Sequence, residues 1–239
     1  MRVEQIQNRH AFRYSVVVLF SIAMAWMEAA TVAYLRTLVH RVEPYQISPM
    51  PEISFLGMTE IVREAATLVM LAAAGWLAGK SWRSRFGYFI AAFGVWDIFY
   101  YVFLRIIVGW PHTLFDWDVL FLIPVPWWGP VLSPMLVSLV LILLGFILVR
   151  YDDGNRLGRL HTISWWIFGA GIALALYTFM ENSFRIIAEG RNDPRTELPT
   201  TFGWPTFIVA LLLMMAPFLG ALLRSAGNIK RIDDVNNSK

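Results

Sequence analysis

The sequence predicts an all-α integral membrane protein, built as a bundle of six transmembrane helices with a short re-entrant or interfacial helix between the third and the fourth. Apolar residues make up 57% of the 239 residues and charged residues only 15%, whereas a soluble domain carries about a quarter charged residues. The apolar residues form runs that are long enough to cross a bilayer as helices. Lys and Arg are concentrated in alternate connections between these runs, which is typical of a bundle with a fixed orientation.

The composition also excludes several classes of function. The chain has no Cys, so disulfides, thiolate metal sites, iron–sulfur clusters and Cys nucleophiles are excluded. Its net charge of +3 is explained by basic cytoplasmic loops, and we expect the lipid bilayer, not nucleic acid, as its surroundings. No cofactor is expected. No internal repeat or shift in composition divides the chain, so residues 1–239 are predicted to form a single transmembrane domain.

The first two spans are separated by a proline-rich loop. A polar stretch with several arginines precedes the first apolar run, 14–39. This run continues well past a possible cleavage site, so a membrane span is favoured over a cleaved signal peptide. Residues 40–57 contain three prolines and are predicted to form a loop. The second span covers 58–79.

A basic turn leads from the second span into the third, which covers 86–109. The following segment, 110–126, has Pro111 near its start, and Pro is favoured in the first turn of a helix. Its apolar residues recur at helical spacing. Because the segment is too short to cross a bilayer, we predict that it forms a re-entrant or interfacial helix.

The last three spans follow at regular intervals. The fourth covers 130–149 and can begin at Gly129-Pro130 or at Ser133-Pro134, because a small or capping residue followed by Pro is typical of a helix start. A polar loop with an Asp-Gly turn separates it from the fifth span, 163–187. A second polar loop precedes the sixth span, 205–223.

The distribution of Lys and Arg predicts the orientation of the bundle. Most of these residues lie at the two ends of the chain and in the loops after the second and fourth spans. The three opposite loops carry only Arg41, Arg191 and Arg195. Because Lys and Arg collect on the cytoplasmic side of a membrane, both the N terminus and the C terminus are predicted to lie in the cytoplasm.

Three stretches of the chain, EAATLVML, GVWDIFYYV and LIPVPWWGPV, resemble predicted bacterial membrane proteins to which no activity is assigned. The resemblance extends over about residues 26–145. It implies a bacterial cytoplasmic (inner) membrane as the location of the protein, and it carries no role for any residue.

Two carboxylates fall near the middle of predicted spans, where charge is costly. Glu28 lies in the first span and Asp97 in the third, and a charge at the bilayer centre costs at least about 2.5–3.5 kcal/mol. Both side chains are therefore predicted to be protonated, paired or in contact with water, and to face the interior of the bundle. The ionic partner of Asp97 is expected from another helix, with Arg63 as the first candidate.

Helical spacing groups these acids with further polar residues. Residues four apart share one face of a helix, so each of several spans is predicted to present a polar stripe in the outer half of the bundle. Together these stripes predict a cavity that binds a ligand or a proton. Its candidate residues are Glu28, Arg63, Glu64, Asp97, Tyr101, Arg105, Tyr177, Glu181 and Arg185.

A metal site is a further possibility in the segment after the third span. His112, Asp116 and Asp118 are residue types that bind several divalent ions. The alternative is a solvated amphipathic turn, which needs no metal. The sequence contains no HExxH motif and no repeated His motif to favour the metal.

Three functions are compatible with these features. The first is binding or transport of an ion, a proton or a small polar solute, in which the acids handle the charge. The second is a membrane-embedded enzyme acting on a lipid or isoprenoid head group, in which arginines hold phosphate and one acid is a general base. The third is a structural subunit of a larger membrane complex, whose protein partners the sequence does not identify.

Overall fold

The computed structural model describes the backbone of residues 2–38, 43–45, 55–121, 125–152, 162–190 and 198–237. This part of the chain is mostly helical, as predicted, and it also contains one small antiparallel sheet. The elements in order are α1 (Arg2–Leu38), α2 (Phe55–Ala78), α3 (Trp82–Val108), β1 (Trp117–Val119), β2 (Trp128–Pro130), α4 (Leu132–Asp152), α5 (Thr162–Ala188) and α6 (Trp204–Asn237).

The first five helices are long and apolar enough to cross a membrane. Their apolar stretches are Ala11–Leu38, Met58–Ala78, Trp82–Val108, Leu132–Arg150 and Ile163–Ala188. The apolar part of α6, Trp204–Gly220, is shorter and corresponds to about 25 Å of helix, against a hydrocarbon core of about 30 Å. The helices therefore indicate a membrane protein. The length of the apolar part of α6 does not establish a sixth span.

Helix α3 is the centre of the bundle, because α1, α2 and α4 all pack against it. Its contact with α4 is close enough to require glycine. A Cβ atom on Gly94 would lie 2.5 Å from the carbonyl oxygen of Ser138. About two turns away along both helices, Gly87 meets Gly145. Small residues allow transmembrane helices to approach in this way. Helices α5 and α6 form a second pair, which contacts α4 through α6.

Local capping determines where α3 begins and ends. Ser81 and Ser84 form a capping box at its N terminus, which satisfies backbone N–H groups that lack helical partners. The helix therefore begins at Trp82, four residues before the predicted start. Gly109 ends it in the left-handed conformation, with φ at 78°, a conformation that glycine adopts without steric cost.

The predicted helix between the third and fourth spans is wrong. Residues 109–121 contain no helix, and β1 pairs with β2 as a hairpin in which Asp118 lies opposite Gly129. The pairing extends beyond the two strands, because Leu132 donates its N–H to Leu114 and Leu120 donates its N–H to Trp127. Proline has no backbone N–H, so the proline-rich second half of the segment is a poor helix former. The bonds between the two strands instead give the backbone polar groups their hydrogen-bond partners.

Helix α4 begins between its two predicted starting points. Its first residue is Leu132, so Pro134 lies in the first turn, where a backbone N–H is not needed within the helix. The hydroxyl of Ser133 donates to the carbonyl oxygen of Pro130 at 2.6 Å. This contact joins the end of the hairpin to the start of α4 and places the hairpin over one end of the bundle.

Candidate binding cavity

A cavity of about 850 Å³ lies between α1, α2, α3, α4 and α5, with the hairpin at one end. Most of its wall is apolar or aromatic, from residues such as Phe89, Leu141, Ile172 and Phe179. Nine titratable residues contribute to the polar part of the wall, together with the hydroxyl groups of Thr67 and Ser138. The nine titratable residues are Glu28, Arg36, Glu60, Arg63, Glu64, Asp97, Tyr100, Tyr101 and Asp118.

The first polar group in the wall is a set of two acids around Arg63. The guanidinium of Arg63 donates to the carboxylates of both Glu28 and Glu60. The second oxygen of Glu28 accepts a hydrogen bond from Thr67 Oγ1 at 3.2 Å. Glu28 is only 8% exposed, so this network satisfies a mid-span acid in the way that its burial requires. It also joins α1 to α2.

The second polar group joins α1 and α3 to the hairpin. Asp118, which is buried in β1, accepts hydrogen bonds from Arg36 Nη2 at 3.0 Å, from Tyr101 Oη at 3.2 Å and from the backbone N–H of Val119 at 2.9 Å. The guanidinium of Arg36 also lies over the ring of Trp110, 4.6 Å from its centroid. Burial raises the pKa of Asp118, and the Arg36 guanidinium and the Tyr101 hydroxyl oppose this shift.

Asp97 has a different environment from the other buried acids. Its Oδ2 atom accepts a hydrogen bond from Ser138 Oγ of α4 at 2.8 Å. Among the residues that the structure describes, no cationic side chain lies within ion-pair distance of it. Its side chain is half-buried and forms part of the cavity wall. Asp97 therefore presents a carboxylate near the middle of α3 without a protein counter-ion from the described residues.

The expectation that Arg63 would be the ionic partner of Asp97 is wrong. Arg63 is occupied by Glu28 and Glu60, and the hydroxyl of Ser138 takes the position next to Asp97. A bidentate guanidinium contact with Glu60 one turn away on the same helix needs little movement of the long arginine side chain. Arg63 therefore binds Glu60 on its own helix and Glu28 on α1, and not Asp97.

The structure brings together five of the nine residues that the sequence selected for the cavity. The five that line the cavity are Glu28, Arg63, Glu64, Asp97 and Tyr101. The other four do not line it. They are Arg105, Tyr177, Glu181 and Arg185.

The polar stripe of α5 points away from the cavity. Tyr177 is 48% exposed and stacks on Phe184, and the exposed Arg185 donates to Asn182 Oδ1 at 2.7 Å. Glu181 is exposed on the same stripe. Successive residues of a helix turn by about 100°, which places this stripe opposite the apolar residues of α5 that face the core. The expected contribution of α5 charges to the cavity is therefore not present.

Arg105 lies at the end of α3 and satisfies the helix terminus. Its guanidinium donates to the carbonyl oxygen of Gly109 and lies 3.3 Å from Nδ1 of His112. A cation near the C terminus of a helix is favoured by the helix dipole. Asp97 and Tyr101 therefore line the cavity, whereas Arg105 lies beyond it, at the C-terminal end of α3.

The three weak metal candidates do not converge. Asp116 accepts hydrogen bonds from the N–H of His112 and from the hydroxyl of Thr113, and Asp118 is engaged by Arg36. Burial acts to raise the pKa of Asp116, but its interactions with Thr113 and His112 outweigh this effect and hold the pKa below its usual value. Within the described ranges, no three His, Cys, Asp or Glu residues lie close enough together to hold a metal ion.

Several residues of the cavity were not selected from the sequence. Glu60 shares the face of Arg63 on α2, and this spacing could have identified it. Tyr100 and Ser138 carried no signal of their own, and Arg36 had only the weak signal of a charge near the end of a span. The contact between Arg36 and Asp118 depends on the hairpin, and a helical interpretation of that segment could not predict it.

Comparison of the chain with protein-family models, with curated proteins and with solved structures gives no match. Five carboxylates and two guanidinium groups line the cavity among the described residues, so its polar wall carries an excess of acids.

Proposed function

We propose that this protein is a bacterial inner-membrane protein with six spans and cytoplasmic termini, whose cavity opens to the outer side and binds or transports an ion, a proton or a small polar solute. In this orientation Arg36, Glu60 and the hairpin lie at the outer end of the bundle, and Asp97 lies near the middle of the membrane. The sixth span would be the apolar part of α6, Trp204–Gly220, because a shorter apolar helix can be matched by local thinning of the bilayer.

The environment of Asp97 is the observation that carries this proposal. An acid placed at this depth is costly unless it is neutral, paired or hydrated, and the described residues offer it one hydroxyl group and a cavity. Ionisable groups in such positions are characteristic of ion and proton pathways. We assign Asp97 the role of the group that accepts a proton or a cation, and Ser138 the role of positioning it.

The paired acids serve a different purpose in this account. Glu28 and Glu60 share the single positive charge of Arg63, and Asp118 is paired with Arg36. These pairs hold α1, α2, α3 and the hairpin together around the outer part of the cavity. Asp97 differs from these three acids, because no cationic side chain among the described residues pairs with it.

The alternative of an enzyme acting on a phosphate head group has less support. Such an enzyme needs arginines that are available for phosphate. Both arginines that line the cavity already contact carboxylates, and a phosphate would have to displace these carboxylates within an acidic cavity. A purely structural role would leave the position of Asp97 in a cavity without explanation.

The proposal can be tested by proton flux in liposomes that contain the purified full-length chain and a pH-sensitive dye. With the membrane potential clamped, an inward proton gradient is expected to acidify these liposomes faster than empty ones. Asp97→Asn is expected to remove this difference, and Glu181→Gln, which changes an acid outside the cavity, is expected to preserve it. A flux equal to that of empty liposomes, or one unchanged in Asp97→Asn, would contradict a proton-handling role for Asp97.

A further inference from the structure

We infer that the ligand of the cavity is an organic ammonium cation with an apolar body, bound with its charged group beside Asp97. This inference rests on the proposed function, because it requires the cavity to admit a solute. It goes further by choosing one chemical class over inorganic ions, anions and neutral solutes. Three features of the wall support this choice.

The first feature is a continuous series of aromatic rings along α3 on both sides of Asp97. The ring centroids of Phe93 and Trp96 are 5.5 Å apart, and those of Trp96 and Tyr100 are 6.2 Å apart with nearly parallel planes. All three residues line the cavity and lie within one turn of Asp97. Aromatic rings that line a cavity beside a carboxylate can stabilise a quaternary or alkylated ammonium group placed over a ring face.

The second feature is the sign of the charge that a ligand would meet. The two guanidinium groups in the wall are held by Glu28, Glu60 and Asp118, and Asp97 has no cationic partner among the described residues. An anionic ligand would approach this carboxylate without a free guanidinium to receive it. A cationic ligand supplies the missing counter-charge.

The third feature is the size and chemistry of the remaining wall. A volume of about 850 Å³ lies in the range of pockets that hold organic molecules. Around the deeper part lie apolar side chains such as Leu141, Ile172 and Met214. Such side chains offer no ligands to a bare ion. An ammonium compound with an apolar body, in contrast, can bury that body against them.

The test uses protection of a single cysteine, since the native chain has none. Val137→Cys places a thiol in the cavity wall on α4, and Thr201→Cys places a control thiol on an exposed segment before α6. Both variants of the full chain are reconstituted and treated with the neutral reagent hydroxyethyl methanethiosulfonate. The rate of modification is measured with benzyltrimethylammonium chloride, benzyl alcohol, sodium benzenesulfonate or sodium chloride present at equal concentration.

Benzyltrimethylammonium is expected to slow modification at position 137 about tenfold more than benzyl alcohol does, because a desolvated cation over an aromatic face gains this much affinity. Benzenesulfonate and sodium chloride are expected to give no protection at position 137, and none of the compounds is expected to protect position 201. Adding Asp97→Asn to Val137→Cys should remove the protection by benzyltrimethylammonium. Adding Glu181→Gln should leave it intact.

The other outcomes separate the two proposals. If the neutral reagent does not modify position 137, the cavity is closed to solutes and the proposed function is contradicted. If position 137 is modified but is protected equally by benzyl alcohol, by benzenesulfonate or by sodium chloride, the cavity admits solutes and only the ammonium class is contradicted. Protection that persists in Asp97→Asn would also contradict the ammonium site.

Discussion

Helices α2 and α5 both carry a stripe of charged residues, yet the two stripes face in opposite directions. On α2, Arg63 turns inward to Glu28 of α1, and the large apolar residues Val62 and Val69 are exposed on its outer surface. On α5, Phe168 and Phe179 turn inward, and the charged stripe faces outward. A charged stripe on a helix therefore faces the interior of the bundle where a neighbouring helix offers an oppositely charged partner. Helical spacing of the charges does not by itself turn the stripe inward.

The reason is that lipid removes the usual difference between the inside and the outside of a bundle. In water, burial of apolar surface would turn the apolar face of every helix inward, whereas lipid accepts apolar side chains on either side. Helix α2 can therefore expose most of its apolar surface, and only 17% of its apolar stretch is buried. An opposite charge on α1 and an adjacent cavity then determine which face of α2 is inside.

The largest difference between the two stripes is expected when their arginines are removed. Arg63→Ala leaves Glu28 and Glu60 without their counter-ion, and breaking a buried pair in this way costs about 3–5 kcal/mol. Arg185→Ala removes an exposed side chain, and its effect is expected to remain below about 0.5 kcal/mol. The measurement is reversible unfolding of both variants in the same detergent.

A double variant sharpens this first result. Adding Glu28→Gln to Arg63→Ala should recover part of the lost stability, because the mid-span charge is removed together with its partner. Equal stability of Arg63→Ala and Arg185→Ala would show that the stripe of α2 is no more buried than that of α5.

A smaller but clear difference is expected between two glycines, one on the inward face of α3 and one on the outward face of α5. Gly94→Ala would place its Cβ against the carbonyl of Ser138, whereas a Cβ on Gly169 meets nothing within 4 Å. Gly94→Ala is expected to cost about 1–3 kcal/mol, and Gly169→Ala is expected to be neutral or slightly stabilising. Thermal unfolding of the two variants measures the difference. A destabilised Gly169→Ala together with an unchanged Gly94→Ala would contradict the close contact between α3 and α4 at Gly94.

The smallest effect is expected at Asp116, an acid outside both regions. Its hydrogen bonds lower its pKa, so its contribution to stability is present above the pKa of the unfolded chain and is lost as the pH falls through the lower folded pKa. Asp116→Asn should therefore lower stability by less than about 1 kcal/mol at neutral pH, and the difference from wild type should disappear in acid. Melting temperatures of wild type and Asp116→Asn, measured from pH 7 to below about pH 4, test this. A difference between the two proteins that grows in acid would mean that folding raises the pKa of Asp116, which contradicts the prediction.

The sequence was sufficient for the first five membrane helices, because length and apolar content determine them directly. It was also sufficient to place Glu28 and Asp97 inside the bundle, since the cost of a mid-span acid in lipid is a strong constraint. It failed for α5, where Glu181 and Arg185 lie close enough to the end of the helix to face outward at little cost. Helical spacing alone cannot tell which face of such a helix is inside.

The hairpin shows a second limit of the sequence. Apolar residues such as Leu114 and Phe115 matched helical spacing, but pairing of β1 with β2 depends on contacts between separate stretches of the chain. The contact of Arg36 with Asp118 depends on that pairing and spans 82 positions in the sequence. Local patterns contain no information about such a contact, so the polar group formed by Asp118, Arg36 and Tyr101 could be identified only from the fold.

The most direct test compares the reactivity of two introduced cysteines, one on the polar stripe of α2 and one on the polar stripe of α5. Thr67 is 3% exposed and lines the cavity, whereas Tyr177 is 48% exposed on the outer face of α5. In membranes treated from the outer side with hydroxyethyl methanethiosulfonate, we predict that Thr67→Cys reacts, because it lines the cavity that we propose opens to that side. We predict that Tyr177→Cys does not react, because it lies on the face of α5 that is turned away from the cavity. Reaction at position 177 with none at position 67 would contradict this assignment, since the charged stripe of α5, and not that of α2, would then line the accessible cavity.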